Sequence, residues 1–398
     1  MKASVLAPLA CTVALLGMAA HAQTTDKVRI GFLTDMSSVF ADIDGKNGAI
    51  AVQMAIDDFG GKVLGRPIEL LSSDHQNKAD IAASKAREWI DTAGLTALLA
   101  GSNSGVGLAL ANLARDKKRV YFNIGAGSPS LTNEQCTPYT VHYAFDTVAL
   151  SRGTGGAVVA AGGRNWYFLT VDYVFGHSLE EDTAKVVRAS GGNVIGAVRH
   201  PLNAPDFSSF LMQAQNSKAQ ILGLATAGTD AHNAIKAARE FGINRSMKIA
   251  ALMFFNTDVD ALGMKNTEGL LFTTSWDWNL NADSRAFGRK FFAKTKRMPS
   301  DLQAADYSAT MNYLKAVQAA GTTNADAVMA KLKSTPIEDF YAKGTIRPDG
   351  RFVHDMYLVQ VKAPGESKEP WDYLKLVKQL SGEEVFTRKA ESRCSLWQ

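Results

Sequence analysis

Three short loops rich in glycine and hydroxyl groups are the segments of this sequence best suited to bind a ligand. They are residues 101–105 (GSNSG), 125–129 (GAGSP) and 225–229 (ATAGT), and each lies at the end of a predicted strand. Backbone N–H groups and hydroxyls at such positions bind anions. None of the loops contains Lys or Arg, so they suit one carboxylate better than a chain of phosphates. The alternative is that they are only tight turns with serine caps.

Aromatic residues gather at the same predicted strand ends and could enclose the apolar body of a small molecule. They are Phe40, Tyr173, Phe175, Phe254, Phe255, Trp276 and Trp278. Trp276 and Trp278 are two residues apart, so on a strand they would share one face. Core packing is the alternative for any one of these rings. Hydroxyls for a carboxylate together with surrounding rings predict a small-molecule pocket.

The common catalytic and metal-binding motifs are absent from the sequence. There is no GxSxG, HExxH, GxxxxGK[ST] or GxGxxG after the first strand. His75, His177 and His232 each come near the end of a predicted strand, where this kind of fold places its cleft. None has a second metal ligand at a suitable spacing. We therefore predict no catalytic residue, no metal and no cofactor; the alternative is an exported enzyme with His75 or Asp172 as acid or base.

The elements that would position these loops alternate between strands and helices. The predicted strands are residues 28–33, 67–71, 95–99, 120–124, 166–170, 193–198, 219–225, 248–252 and 270–274. Helices are predicted from Gly45, from an N-cap at Asn77, over residues 107–115, and from near His177, Phe207, Asp230 and Asp258. Residues 283–335 read as almost entirely helical, and 345–361 as extended. Such alternation predicts an α/β protein with two doubly wound parallel sheets, separated near residue 146.

Composition excludes several classes of protein. The chain has 398 residues, of which 46% are hydrophobic and 21% charged, with a formal net charge of +4. This apolar fraction is too high for a disordered or coiled-coil protein. The charge is too small for a nucleic-acid-binding surface, so we expect no nucleic-acid partner.

The first 22 residues have the features of a cleaved signal peptide. Lys2 precedes an apolar stretch over residues 5–20, and Ala20-His21-Ala22 reads as the cleavage site. We therefore expect export to the periplasm, with cleavage at about Ala22. Cys11 leaves with the signal, so Cys136 and Cys394 are the cysteines that remain. In an oxidising compartment they predict a Cys136–Cys394 disulfide; the alternative is two separate thiols.

Several segments resemble the branched-chain amino-acid-binding proteins of ABC importers. They include residues 35–61, 100–114 (AGSNSGVGLALANLA), 121–132 (YFNIGAGSPSLT), 171–179 (VDYVFGHSL), 302–317 and 343–352 (KGTIRPDGRF). The resemblance extends over essentially the whole chain after the signal. It implies the type I periplasmic binding fold, in which two α/β lobes joined by three crossovers clamp a ligand. The implied lobes are residues 23–146 plus 276–353 and residues 147–275 plus 354–398.

The resemblance, together with the pattern of loops and rings, predicts which residues bind the ligand. The carboxylate would be held by Ser102, Asn103 and Ser104, and by Gly125, Ala126 and Ser128, with Thr226 in the corresponding loop of the second lobe. The ligand body would contact Phe40, Phe175, Phe254, Trp276 and Tyr307. The family's amine-binding acid should lie in residues 253–256, where this sequence has Met-Phe-Phe-Asn, while Asp258 is displaced. Because a buried ammonium without a carboxylate is costly, an aromatic carboxylate becomes a candidate beside an apolar amino acid.

The resemblance thus predicts a monomeric solute-binding protein that closes on a small carboxylate and delivers it to a membrane permease. One alternative is an exported sensor protein of the same fold. A periplasmic enzyme is the other.

Overall fold

The computed structural model describes residues 27–398. The predicted signal peptide, residues 1–22, lies outside the described residues, and its cleavage stays a prediction. From residue 27 onward, no helix has both the length and the apolar character needed to cross a membrane.

Strands from the first third of the described chain form one sheet. They are β1 (Val28–Thr34), β2 (Lys62–Val63), β3 (Arg66–Asp74), β4 (Leu95–Ala100), β5 (Val120–Asn123) and β6 (Thr140–His142). Their order is β2-β3-β1-β4-β5-β6, with all neighbours parallel except β2 and β3. The intervening helices are α1 (Gly45–Asp58), α2 (Ala79–Ala93) and α3 (Ser104–Lys117). Helices cover both faces of the central strands, which explains why β1 and β4 are apolar almost throughout.

A second parallel sheet follows, with strand order β10-β9-β7-β8. The chain reaches it through α4 (Thr147–Leu150), a π-helical turn (Ser151–Gly155) and α5 (Gly156–Ala160). Its elements are β7 (Asn165–Val171), α6 (Val174–Ala189), β8 (Asn193–His200), α7 (Ser208–Asn216), β9 (Ile221–Ala225), α8 (Gly228–Glu240) and β10 (Lys248–Ala251). Two short helices, α9 (Asn256–Leu262) and α10 (Met264–Thr267), come next.

The remaining strands form two small antiparallel sheets. Strands β11 (Leu271–Thr274), β15 (Met356–Val361) and β16 (Leu374–Leu380) make one of them, and β12 (Ile337–Glu338), β13 (Lys343–Ile346) and β14 (Phe352–His354) make the other. The helices here are α11 (Ala282–Thr295), α12 (Asp301–Ala320), α13 (Ala325–Ser334) and α14 (Gly382–Val385). The strand predicted at residues 270–274 therefore exists but does not extend the second parallel sheet, because it pairs with β15 from much later in the chain.

The long helix α12 returns to the first sheet and packs against α1. At its N-terminus, Ser300 Oγ donates to the carbonyl of Ile43, and Gln303 Nε2 donates to the carbonyl of Asp44 over 3.0 Å. Further along, the hydroxyls of Tyr143 and Ser308 are 2.7 Å apart. The predicted helical section therefore covers the first sheet.

Three passages of the chain join the two lobes. The first lies between β6 and β7, and the second follows β11. The third lies between Arg351, which forms a β-bridge with His142 of the first sheet, and Val359, which belongs to the core of the second. These contacts support the lobe boundaries expected from the sequence, which we retain as a proposal.

The start of α2 differs from the prediction. Lys78 rather than Asn77 occupies the N-cap position, and no side chain caps the helix. Asn77 has a φ of 60°, and its side-chain oxygen accepts a hydrogen bond from the amide of Asn103. The side chain of Asn77 therefore holds a ligand-loop residue instead of capping its own helix.

The predicted disulfide is confirmed. Cys136 and Cys394 are bonded, with their Cα atoms 5.7 Å apart and a sequence separation of 258. The C-terminal segment is held at other points as well. Arg393 N donates to Asn133 Oδ1 over 2.8 Å, and Arg152 Nη2 lies 2.9 Å from a carboxylate oxygen of Glu391. The segment thus contacts both the first lobe and the helices that lead into the second.

A pair of buried carboxyl groups, Asp44 and Asp306, joins α12 to the loop before α1. Burial raises the pKa of Asp44 to about 6. Burial and the charge of Asp44 together raise the pKa of Asp306 well above its ordinary value. One carboxyl of the pair therefore keeps its proton to a higher pH than an exposed aspartate does.

We expect Asp306→Asn to stabilise the protein at neutral pH. Because both folded-state pKa values are raised, the pair's contribution to stability is fully present below the unfolded pKa, near 3.8. It is lost as the pH rises through the folded values. The amide abolishes one of the two titrations and can donate to Asp44. In urea unfolding at pH 5 and pH 8, the gain of the variant over the wild type should be larger at pH 8, on the order of 1 kcal/mol or more.

Asp339→Asn is the matched control. The Asp339 carboxylate accepts hydrogen bonds from the backbone N–H groups of Tyr341 and Ala342 and from the side chains of Ser308 and Asn312. Its conversion to an amide should lower stability at both pH values. Equal stability of the wild type and Asp306→Asn at pH 8 would show that the carboxyl pair imposes no cost.

Removal of the disulfide should also be measurable. We expect the double variant Cys136→Ser, Cys394→Ser to lose about 2–5 kcal/mol of unfolding free energy, because the unfolded chain is no longer constrained. Thermal and urea unfolding of the oxidised wild type and the variant measure the difference. Wild-type protein unfolded without reductant should show no reactive thiol from this pair. A full thiol titre would contradict the bridge.

Candidate functional site

A small cavity lies where the carboxyl ends of the two parallel sheets meet. Its lining residues are Phe40, Ser102, Asn103, Ser104, Gly125, Gly127, Tyr173, Phe175 and Met253. They come from loops after β1, β4 and β5 of the first sheet and after β7 and β10 of the second. This is the position at which open α/β sheets bind ligands. The cavity measures about 10 Å³, room for about one water molecule, so the lobes are close together.

A direct backbone contact holds the lobes in this arrangement. The N–H of Thr229, in the second lobe, donates to the carbonyl of Val39, in the first, over 3.1 Å. Gly228 has a φ of +60°, and a Cβ there would lie 2.1 Å from the same carbonyl oxygen. Only glycine allows this approach, so the start of α8 is shaped for contact with the opposite lobe.

The loop after β4 carries two serines on a strained backbone turn. Asn103 lies between them with a φ of +88°, which a residue other than glycine rarely adopts. Its side-chain oxygen accepts from the N–H of Val106 over 3.1 Å and so caps α3. Its amide group donates to the side chain of Asn77. These bonds fix the turn and bring the hydroxyls of Ser102 and Ser104 to the cavity.

Close backbone approaches shape the neighbouring loop, residues 125–128. A Cβ on Gly125 would lie 2.5 Å from Leu302 of α12, and one on Gly127 would lie 3.3 Å from the ring of Phe175. The carbonyl of Ala126 accepts from Asn123 Nδ2 over 2.8 Å, and the carbonyl of Gly127 accepts from the N–H of Thr147 over 2.9 Å. The loop is therefore fixed, and the second-lobe ring of Phe175 closes directly over it.

Four hydroxyls in the loops at these strand ends are buried without a hydrogen-bond partner among residues 27–398. They belong to Ser102, Ser104, Ser128 and Thr226, and each of these residues is at most 2% exposed. A buried hydroxyl without a partner costs about 1–3 kcal/mol. Two of the four, Ser102 and Ser104, line the cavity, and unsatisfied hydroxyls facing a cavity between two lobes are typical of a ligand site rather than of a core.

Most of the residues predicted to bind ligand lie in this group. Phe40, Ser102, Asn103, Ser104, Gly125 and Phe175 line the cavity. Ala126 and Ser128 belong to the same loop as Gly125 and Gly127, whereas Thr226 lies in a loop none of whose residues lines the cavity. Gly127, from the predicted anion-binding loop, and Tyr173, one of the rings predicted at the strand ends, also line it, as does Met253, which was not predicted to contact the ligand. The signal for Tyr173 was its position two residues before Phe175, which places both rings at the end of β7.

The structure does not bring Phe254, Trp276 and Tyr307 to the cavity. Phe254 points into the second-lobe core, with its ring centroid 5.5 Å from that of Phe272; its neighbour Met253 takes the cavity position. Trp276 Nε1 donates to Ser284 Oγ and to the carbonyl of Phe340, both over 3.1 Å. These rings are therefore left out of the proposed site.

Tyr307 occupies a separate groove of the first lobe. Its hydroxyl donates to Asp58 over 2.6 Å, and its ring packs edge-on against Phe287 and Phe340. The prediction rested on the resemblance to the family's helix aromatic, but here the helix turns this side chain away from the cavity.

Most of the acid and histidine side chains considered for chemistry are paired with one another, whereas His75 is buried and its Nε2 has no hydrogen-bond partner among residues 27–398. Asp258 accepts from the N–H of Phe255 over 2.9 Å and lies 2.6 Å from Nε2 of His232. His177 Nε2 lies 2.8 Å from the exposed carboxylate of Asp172. Burial lowers the pKa of His75. No group of three or more His, Cys, Asp or Glu residues within 27–398 could hold a metal ion.

Comparison with known proteins agrees with this geometry. Residues 27–368 match the sequence profile of a family described as periplasmic binding protein. The chain belongs to this family.

Solved structures support the same conclusion over almost the whole chain. A periplasmic binding protein from Burkholderia mallei is 63% identical, with a TM-score of 0.93 over 94% of this chain and 100% of its own. A branched chain amino acid ABC transporter periplasmic ligand-binding protein from Burkholderia xenovorans LB400 is 38% identical, with a TM-score of 0.83 over 93% and 100%. These similarities confirm the predicted resemblance and the α/β fold with two lobes.

A more distant structure has the same fold around an aromatic ligand. It is the solute binding protein of an ABC transporter from Rhodopseudomonas palustris BisB5, in complex with 3,4-dihydroxy benzoic acid. It is 20% identical, with a TM-score of 0.82 over 92% of this chain and 100% of its own.

The strained turn at Asn103 yields a stability test in this periplasmic binding protein. We expect Asn103→Ala to destabilise more than Asn103→Gly. Both variants lose the helix cap, worth about 0.5–2 kcal/mol, but alanine also bears the strain of the positive φ, about 1–3 kcal/mol. Urea unfolding of both variants measures the difference. If the two are equally unstable, the backbone at this turn is not strained.

Proposed function

We propose that this periplasmic binding protein is the extracytoplasmic solute-binding protein of an ABC importer and captures a small carboxylate. The observation that carries the proposal is that the hydroxyls of Ser102 and Ser104, which line the cavity between the lobes, are buried and unpaired, as is that of Ser128 in the adjoining loop. A carboxylate presents about four lone-pair acceptor sites. It would satisfy these donors together with nearby backbone N–H groups.

The rest of the lining suits the apolar body of such a ligand. Phe40, Phe175 and Met253 supply apolar surface, and Tyr173 adds a further ring. No Lys or Arg lines the cavity. The negative charge of the ligand would therefore be stabilised by hydrogen bonds from neutral donors. The candidates are aromatic carboxylates and apolar amino acids, the two ligand classes named for proteins of this fold.

Capture would proceed by closure of the two lobes. The serines and Gly125 belong to the first lobe, whereas Tyr173, Phe175 and Met253 belong to the second. A ligand bound to the serine loops would recruit the second lobe and shift an open–closed equilibrium toward the closed state. The short contact from Thr229 to Val39 would form on closure, and the closed form would be the one delivered to a membrane permease. We propose a monomer acting in the periplasm after removal of a signal peptide.

We propose binding without turnover. The support is that the histidines near the strand ends are buried or paired, as His75 is by burial and His232 by its contact with Asp258. None of them is among the residues around the cavity. We therefore expect that bound ligand will be recovered unchanged after prolonged incubation with the protein.

A thermal-shift panel of aliphatic amino acids, benzoate and hydroxybenzoates tests the function. A ligand at about 100 times its Kd should add about 2.7 kcal/mol of stability. For the carboxylate that binds best, Ser102→Ala and Ser104→Ala should each raise Kd about tenfold, because each removes a hydrogen bond to a charged group.

Ser190→Ala, at an exposed serine that ends α6, is the matched control and should leave Kd unchanged. If no carboxylate of the panel binds, the proposed function fails. Binding that survives loss of both serines would place the carboxylate elsewhere.

A further inference from the structure

The second lobe places two polar side chains beside the cavity, although neither is among its lining residues. They lie on residues 226–230, which span the short turn after β9 and the first turn of α8. A Cβ on Gly228 would lie 3.1 Å from the ring of Phe40, and Phe40 lines the cavity. Thr226 begins the loop and Asp230 lies in the first turn of α8; both are 1% exposed. The loop therefore lies on the second-lobe side of the cavity, and its polar side chains are shielded from solvent.

Both polar side chains have an unused acceptor atom. Thr226 Oγ1 and Asp230 Oδ1 have no hydrogen-bond partner within the described chain. The other carboxylate oxygen of Asp230 accepts from the N–H of Asn203 over 2.9 Å. The loop after β8 thus orients the carboxylate through one oxygen and leaves the other free to accept.

The electrostatics around Asp230 favour a donor partner. Burial raises its pKa to about 6, and the groups that counteract burial are the backbone N–H groups of Asn203 and Ala204 rather than cations. Burial raises the pKa of Tyr173, which lines the cavity, and the charge of Asp230 raises it further. At neutral pH Asp230 is therefore mainly an ionised, buried acceptor with one oxygen unpaired.

We propose that Asp230 and Thr226 form an acceptor subsite that binds an O–H or N–H group carried by the carboxylate ligand. The inference rests on the proposed function, because it assigns the serine loops to the carboxylate of the same molecule. The first lobe would then donate hydrogen bonds to the carboxylate of the ligand, and the second lobe would accept hydrogen bonds from its O–H or N–H group.

This assignment changes the expectation about amines. Residues 253–256 contain no acid, and Asp258 uses both of its oxygens on Phe255 and His232. Asp230 supplies a buried carboxylate from the neighbouring strand end instead. A hydroxyl or an ammonium on the ligand would therefore find an acceptor, whereas an unsubstituted carboxylate would leave Asp230 unpaired.

Two matched ligand pairs test the subsite: benzoate with 4-hydroxybenzoate, and 4-methylpentanoate with leucine. Within each pair the carboxylate and the apolar body are kept, and only the donor group differs. Calorimetric titration of the wild type should give a Kd at least about tenfold lower for the donor-bearing member of one pair. The pair that shows it distinguishes a hydroxyl from an ammonium as the recognised group.

Asp230→Asn and Thr226→Val then assign the preference to residues. We expect Asp230→Asn to reduce the ratio of Kd values within the preferred pair to about threefold or less, and Thr226→Val to reduce it in part. Ser190→Ala should keep the wild-type ratio. Circular dichroism checks that each variant folds. If Asp230→Asn does not fold, the ratios of Kd values measured for the wild type and for Thr226→Val decide whether the subsite exists.

Two results would overturn the subsite while leaving the proposed function intact. The first is wild-type binding of both members of each pair with equal affinity. The second is a wild-type preference that persists unchanged in the variants that fold. Failure of all four compounds and of the wider carboxylate panel to bind would instead remove the proposed function, and this inference with it.

Discussion

The carboxyl group of Asp44 is the point on which the geometry of the first lobe depends. Thr34, at the end of β1, donates to it over 2.6 Å. Gly101, at the end of β4, approaches so closely that a Cβ there would lie 1.7 Å from Asp44 Oδ2. Asp306 of α12 is its other neighbour. Gly101, the residue before Ser102, therefore packs against the carboxyl group of Asp44. That carboxyl group is in turn held by α12, a helix from a distant part of the chain.

This arrangement explains why the first lobe cannot be built from one continuous segment. The ligand loops end strands β4 and β5, but the surface behind them is closed by α12, where Leu302 meets Gly125. The chain must complete the second sheet before it returns with this helix. Lobes built in this way share several crossovers, and relative movement of the lobes is confined to those passages. The cavity can then open and close while each set of loops keeps its shape.

Periodicity predicted the strands and the loops at their ends, because both depend on local pattern and on glycine and serine at sharp turns. The direction of single side chains was harder to predict. Phe254 and Met253 are adjacent, and which one faces the cavity depends on how β10 ends against its neighbours. The strand at residues 270–274 reads like any buried strand, yet its partner lies some 85 residues later, at β15, a pairing that local pattern does not encode. The predicted ligand contacts of Trp276 and Tyr307 were wrong for a related reason. The directions of these side chains depend on contacts with distant parts of the chain, Phe340 for Trp276 and Asp58 for Tyr307.

The chain has a low net charge, and its cavity likewise contains no lysine or arginine to bind a carboxylate. A lysine or arginine facing the ligand would bind a carboxylate strongly, but it would be a buried, unpaired cation whenever the ligand was absent, at a large desolvation cost. Hydroxyls and backbone N–H groups cost less when unpaired and can be hydrated in an open cleft. A site built from them can therefore exchange a desolvated ligand for water as the lobes separate. That property suits a protein that must release its cargo as well as capture it.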